Sequence, residues 1–568
     1  MRSLVLSRQQ RLLLSSVCIL GASVGWSRTA AAIDIDAGSD WQIRWDNTLT
    51  YNLGIRAEGI DPLIGNNPAE QNSDYKFPNF GSIVTNRLAV LSEFDAQHGT
   101  DYGFRISVGA WKDFAYDNTV ATHPGDFLPG VPYTALSSEP SGHYASYTSK
   151  YYIQGGELED AFVFKHFVID DVPLDVKVGR FTEYWGNAYF AAFQSISYSQ
   201  GPLDEIKASS SPGTPAKELF MPHGQISIRS PVSEEWTFGG QYSFEWRPDR
   251  FPEGGTFLGT DPFFVGPQSL DGTVQRGSDF NPHSLHDNFG LETIWAPEWL
   301  NGELGFYFRE FDETAPFSSA LLGVNSAGVP NYHLAYAQNV RLYGVTLDKT
   351  FEGVSTGIEA SYRQGTALNS LTAVLNPADP TGREGAKGDT INFVANATYG
   401  LPTTSVFDTG SLLGEIAYTR VMAVTANPSL FDAVGYACSP HGINAGQGQA
   451  DGCSTRDDLS ATINFDPQWL QVFPGVDLDA PTTVGFGLVG NGQYLGTAAN
   501  GNDQGAVFYT VGLNALIRQA YTVKLAYNGN SAPTHLINTV GQPFAQTGIG
   551  AFTFNDRNWI SLTLQTSF

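Results

Sequence analysis

The feature that most restricts this chain is a two-residue period that returns along its length and runs to the last residue. Trp41, Ile43, Trp45, Leu49, Tyr51, Leu53 and Ile55 alternate with Gln42, Arg44, Asp46, Thr48, Thr50 and Asn52. Tyr102, Phe104, Ile106 and Val108 repeat the pattern, as do Trp236, Phe238, Tyr242, Phe244 and Trp246, and later Val507, Tyr509, Val511 and Leu513. A period of two sends neighbouring side chains to opposite faces of a strand, so each segment has one apolar and one polar face. Soluble sandwiches alternate in the same way, but three features favour a membrane barrel. The segments end on aromatics (Trp41, Trp236, Trp295, Tyr399, Tyr527, Trp559), the residues that belong at the two membrane interfaces. Several run about 9–11 residues, enough to cross a bilayer when tilted. Short connections (His98-Gly99-Thr100, Asp170-Asp171-Val172-Pro173, Pro231-Val232-Ser233-Glu234) alternate with long ones.

The expected fold is therefore an all-β, transmembrane antiparallel barrel of about 18 strands. The number falls to about 14 or 16 if weak alternation near 146–167, 225–230 and 458–465 keeps those stretches out of the wall. An even number puts both termini at the same end. The chain has 568 residues, of which 13% are aromatic and only 15% charged, in keeping with a surface shown largely to lipid. Residues 1–32 read as a signal peptide: Arg2, Arg8 and Arg11 precede an apolar run from Leu12 to Val24, and Ala30-Ala31-Ala32 offers the cut. The single domain is then 33–568. Loss of the signal removes four arginines and no acid, taking the net charge from −26 to −30. A nucleic-acid partner is excluded by that balance. No apolar run approaches the roughly 18 residues of a spanning helix, which excludes a helical inner-membrane protein.

The mature chain keeps Cys438 and Cys453 in a Gly/Ser/Asp-rich stretch, and export predicts a disulfide between them. Ile560, Leu562, Leu564, Thr566 and Phe568 alternate to the terminus, so Phe568 is the expected assembly signal, presented in register to close the barrel. Catalytic motifs are missing: there is no nucleophile elbow, no paired zinc histidines and no phosphate-cradling loop. The one close histidine pair, His283 and His286, lacks a third ligand, so neither a metal nor another cofactor is expected.

The middle of the chain carries a denser pattern. Val178-Gly179-Arg180 runs into Tyr184-Trp185-Gly186, followed by Gln200-Gly201-Pro202-Leu203-Asp204, Pro212-Gly213, Lys217-Glu218-Leu219-Phe220-Met221-Pro222 and an aromatic strand ending Phe244-Glu245-Trp246. This order resembles the bacterial exported family called domain of unknown function thirteen hundred and two. Phe181 stands where that family usually has Gln, and Asn187 where it usually has Glu. The resemblance is specific over about 174–250 and diffuse elsewhere. It implies an outer-membrane barrel, no established reaction, and genes that neighbour a periplasmic lipid-carrier-like protein and a resistance–nodulation–division type permease. By that implication the solutes are hydrophobic or lipid-like. The other expected partners are outer-membrane lipid, lipopolysaccharide and the barrel assembly machinery.

The candidate site residues follow from parity. Polar faces supply Arg44, Asp46, Arg87, Glu93, Asp95, Arg105, Glu245, Glu359 and Arg363 to the lumen. Arg180 shares parity with the lipid-facing Leu174, Val176 and Val178, so it either turns inward at a bulge made by Gly179 or lies at the interface; the bulge is the preferred reading. Residues 187–222 alternate weakly and are rich in Ser, Pro and Gly. They are expected to fold into the lumen, with Asp204, Lys207, Lys217 and Glu218 at a constriction. The leading functional expectation is a passive channel or transporter, for small or lipid-like solutes. A structural or adhesive barrel with a blocked lumen and an outer-membrane lipid hydrolase are the alternatives.

Overall fold

Alternation becomes a closed wall of 18 antiparallel strands. The computed structural model describes residues 33–35, 38, 40–210, 216–259, 264–270, 272–283, 288–494, 502–537 and 541–568, so the expected signal segment 1–32 lies outside the described residues. The first half of the wall is β1 (Trp41–Arg56), β2 (Ile83–His98), β3 (Tyr102–Asp113), β4 (Gln154–Ile169), β5 (Val172–Phe181), β6 (His223–Pro231), β7 (Trp236–Ser243), β8 (Phe289–Trp295) and β9 (Gly302–Phe311). The second half is β10 (Val340–Phe351), β11 (Val354–Ala367), β12 (Lys387–Leu401), β13 (Thr409–Ala426), β14 (Asp457–Phe473), β15, β16 (Val507–Ile517), β17 (Tyr521–Ser531) and β18 (Trp559–Ser567). β15 comes in two pieces, Val476–Asp479 and Thr482–Val489. Pro481 lies between them and has no N–H to give the ladder. A short strand, Ile33–Ile35, pairs with the start of β1.

Each strand pairs with the next, and β18 returns to β1 from Thr48↔Ser567 to Arg56↔Trp559. The seam continues one residue further, where the N–H of Phe568 donates to Asn47 O at 2.9 Å and the N–H of Asn47 donates to Phe568 O at 2.8 Å. Exposure is inverted relative to a soluble protein. Leu525 is 45% exposed and Val108 46%, whereas Glu359 is 2% exposed and Arg363 is fully buried. Apolar side chains outside and polar ones inside are what a bilayer requires of a barrel.

The connections sort by length between the two ends. At one end Asp170 and Asp171 (φ 49° and 66°) and Arg518 and Gln519 (φ 52° and 55°) make tight turns, whose paired positive φ matches the twist of a hairpin. At the other end long connections run over 57–82, 114–153, 182–222, 244–288, 312–339, 368–386, 427–456, 490–506 and 532–558. Cys438 and Cys453 form a disulfide within one of them.

The three weakly alternating stretches all contribute to the wall, and the first shows why its signal is faint. Opposite Ser107, β4 places Glu159 and Asp160 where one residue would do, so the register shifts between Ile106↔Ala161 and Val108↔Leu158. Such a bulge reverses the parity of everything beyond it. Residues 146–153 are short helical turns, and the strand begins only at Gln154.

The exterior makes a direct prediction. Leu525→Arg places a charge on the lipid face of β17 and should destabilise the barrel by about 2–4 kcal/mol if it lies near the bilayer midplane. Urea unfolding of the refolded protein in lipid vesicles measures the loss.

Candidate functional site

After β5 the chain descends into the barrel. Trp185, Phe193, Ile196 and Tyr198 are buried in one cluster with Tyr307 and Phe311 of β9 and Val340 and Leu342 of β10. Wall glycines make room for them. A Cβ on Gly344 would lie 2.8 Å from the Ile196 side chain, and one on Gly290 would lie 2.6 Å from the Trp185 ring.

An irregular segment inside a barrel has backbone groups that no ladder satisfies. Here four charged wall residues take them. Glu415 of β13 accepts N–H bonds from Tyr189 at 2.5 Å, Phe190 at 2.7 Å and Ala191 at 2.8 Å. Glu359 of β11 accepts from the N–H of Asn187 at 3.1 Å and of Ile196 at 3.4 Å. Arg309 of β9 donates to the carbonyls of Ile196 at 2.8 Å and Tyr198 at 2.7 Å. Arg363 of β11 donates to Ser195 O at 2.8 Å and lies 4.2 Å over the Tyr198 ring. Asn396 of β12 donates to Asn187 O at 2.7 Å. The carboxylates bind donors and the guanidiniums bind acceptors, each bond strengthened by its charge.

The residues expected from sequence separate into groups. Arg44, Asp46, Glu93 and Arg105 meet at the short-turn end, where they line a cavity of about 450 Å³ with Asp95 and Ser567. Arg44 lies 2.6 Å from Asp46, and Arg105 lies 3.2 Å from Glu93 and 3.1 Å from Asp95. Arg87 is apart from them, donating to Tyr151 O at 2.8 Å beneath the Trp111 ring. Asp204 pairs with Arg250 at 3.0 Å, and Lys207 donates to Glu218 O at 2.8 Å. Lys217 falls in the short turn Ala216–Glu218, and its side chain is outside the described residues, as is His286.

The preferred bulge at Gly179 is corrected. Gly179 has φ +135°, yet the ladders to β4 and β6 run through it without a shift in register. Arg180 therefore keeps its parity with Val178. It is the last but one residue of β5, with its guanidinium 3.9 Å from Glu245 and 3.4 Å from Pro222 O. Neutralisation where the strand ends replaces the expected inward turn.

Arg309 and Glu415 escaped the sequence reading, as did the loop charges above the seam. Arg56 and Arg557 meet Asp74 and Asp556 at 3.1–3.7 Å, and the four side chains are at most 4% exposed. Burial, with the Asp74 charge beside it, pushes the Asp556 carboxyl above the usual carboxylate range. Glu139, in the long connection 114–153, is buried near Glu253, and burial followed by that neighbour's charge raises it to about 9.

The family model described as Protein of unknown function (DUF1302) matches residues 13–568. No curated protein matches the chain. Among solved structures, OccAB2 of Acinetobacter baumannii is 8% identical with a TM-score of 0.40, covering 93% of this chain and 98% of that one. OccD3 (OpdP) of Pseudomonas aeruginosa is 12% identical with a TM-score of 0.38, covering 95% and 94%. The outer membrane channel DcaP of Acinetobacter baumannii is 10% identical with a TM-score of 0.35, covering 95% and 100%.

Two outcomes follow from this geometry. Glu415→Ala strands three backbone N–H groups and should destabilise the inward segment by roughly 3 kcal/mol or more. Hydrogen exchange should accelerate at residues 187–198 while the wall strands stay protected. Glu139 holds a proton in the folded chain that the unfolded chain gives up, so its contribution to stability falls as pH rises from about 4.5 to about 9. Limited proteolysis of connection 114–153 should speed up across that window and level off above it.

Proposed function

The chain belongs to the family of proteins of unknown function DUF1302, and we propose that it is a passive outer-membrane channel whose passage is set by the segment bound across its interior. The observation that carries this reading is the set of bonds from Glu359, Glu415, Arg309 and Arg363 to the backbone of residues 187–198. A structural wall needs no charged residues aimed at an internal loop, because burying such charges is costly unless each finds a partner. Their placement fits a segment held in one position with a polar, and so breakable, attachment. The short-turn mouth adds support, since its mixed charges are partly exposed and line an open vestibule of about 450 Å³. In this reading the long connections face outward from the cell and the short turns face the periplasm.

A second reading, an adhesive barrel with a blocked lumen, is favoured by the long connections themselves. They build a small sheet of their own from Ser269–Leu270, Val274–Arg276, Leu321–Val324 and Pro330–His333. Single-channel conductance of the mature protein in planar bilayers separates the two. Removal of residues 203–218 should enlarge the open current, and Glu359→Gln with Glu415→Gln should make closures less frequent. A folded, heat-modifiable barrel that stays silent both intact and with 203–218 removed would sink the channel reading in favour of adhesion.

A further inference from the structure

Away from the lumen, the long connections bury two carboxylates that the channel reading does not use. Glu139 lies in connection 114–153 and Glu253 in connection 244–288, and each is 1% exposed. The charge of Glu253 is near enough to act on Glu139. Both carboxylate oxygens of Glu139 lack a hydrogen-bond partner among the described residues. The cations of the two connections are committed elsewhere. Arg247 pairs with Glu157, Arg250 lies 2.6 Å from Glu157 and 3.0 Å from Asp204, and Arg276 lies 2.8 Å from Asp279. Lys150 sits 5.1 Å over the Tyr151 ring. Two acids buried together with no protein cation to meet Glu139 are costly, and apolar residues would serve a purely structural loop better.

A third oxygen belongs to the same place. Thr148 is fully buried, and its hydroxyl has no hydrogen-bond partner among the described residues. The N–H of Gly266 donates to Glu253 Oε2 at 2.5 Å. A Cβ on Gly266 would lie 2.0 Å from Thr148 Oγ1 and 2.7 Å from that same Oε2. Hydroxyl and carboxylate therefore flank one small volume, left free by the glycine. The backbone that presents Glu139 is fixed in turn. Its N–H donates to Ser137 Oγ at 3.1 Å, its carbonyl accepts from the N–H of Gly142 at 2.9 Å, and Asn72 donates to Ser137 Oγ at 2.9 Å.

We propose that Glu139, Glu253 and Thr148 hold a calcium ion that ties connection 114–153 to connection 244–288. The donors are all oxygens, which suit a hard cation, and the set lacks the nitrogen and sulfur ligands that zinc and copper favour. Calcium tolerates an irregular shell, whereas magnesium demands a near-ideal octahedron. Binding replaces the proton that Glu139 otherwise keeps. Connection 244–288 also carries Arg250, which pairs with Asp204 and whose carbonyl accepts from the N–H of Glu205 at 2.8 Å, so a staple here steadies the upper part of the inward segment. The proposal does not depend on conduction.

The test uses the mature protein refolded into phosphatidylcholine nanodiscs, free of lipopolysaccharide and its cations. Calorimetric titration near pH 8 with calcium chloride should show one saturable site per chain, tighter than with magnesium chloride. Cleavage of connection 114–153 by papain, which needs no calcium, should slow relative to EDTA by the factor 1 + [Ca²⁺]/Kd, about tenfold at ten times the Kd, because the protease reaches only the locally opened state. Glu139→Gln keeps the side chain's volume and should abolish both binding and protection. Thr148→Val is isosteric and should weaken binding several-fold. Heat-modifiability on gels confirms that each variant is a closed barrel. Absence of saturable calcium binding, a preference for magnesium, binding unchanged in either variant, or equal cleavage with calcium and with EDTA overturns the proposal.

Discussion

Everything in this molecule depends on the pairing of β18 with β1. Inside hydrocarbon no water satisfies an exposed strand edge, and each unpaired backbone group there is worth several kcal/mol. The seam leaves none open from the Asn47–Phe568 exchange at one end to Arg56↔Trp559 at the other. At that upper end it meets Arg56, which is bound to Asp74 and Asp556 and donates to Phe77 O at 2.7 Å. The first and last long connections are thereby anchored to the closing strands themselves. Burying four charges is costly in isolation. Here two cations meet two acids, with further carbonyls taking N–H groups, so the cluster fixes loop positions without leaving a bare charge.

Closure also decides what the interior has to do. A barrel of this circumference would hold a wide aqueous lumen, but the inward row of β9–β13 is packed against the segment instead. Where the segment presses, that row turns apolar: Ala417 and Val394 pack on Ala188 and Ala191. Where backbone must be satisfied, it turns charged, at Arg309, Glu359, Arg363 and Glu415. Lumen chemistry is therefore written by the segment as much as by water.

This division explains what the sequence could and could not tell. Strand identity, the alternation of short turns with long connections, and the terminal strand are all carried by a period that each side chain repeats, so they were legible residue by residue. The wall near Glu159 and Asp160 was faint because one extra residue reverses parity. Glu415 was missed because its strand, Thr409–Ala426, is apolar on both faces: Leu412, Ile416 and Met422 point to lipid while Leu413, Ala417 and Val421 are buried inside. With both faces apolar the period vanishes, and a single acid reads as an accident. Arg180 misled for the opposite reason. Its parity was right, and only the length of β5, which ends one residue later, shows how a charge can keep that parity.

The two populations of interior charge differ in what they can contribute. At the short-turn mouth Arg105 is 34% exposed and Asp95 37%, and ion pairs so open to water add little to stability and are weakened by salt. Glu359 and Arg363 are sealed, and their bonds to the segment have no aqueous competitor. The pairs at the mouth can therefore rearrange at little expense, while the bonds that pin the segment hold it as a set.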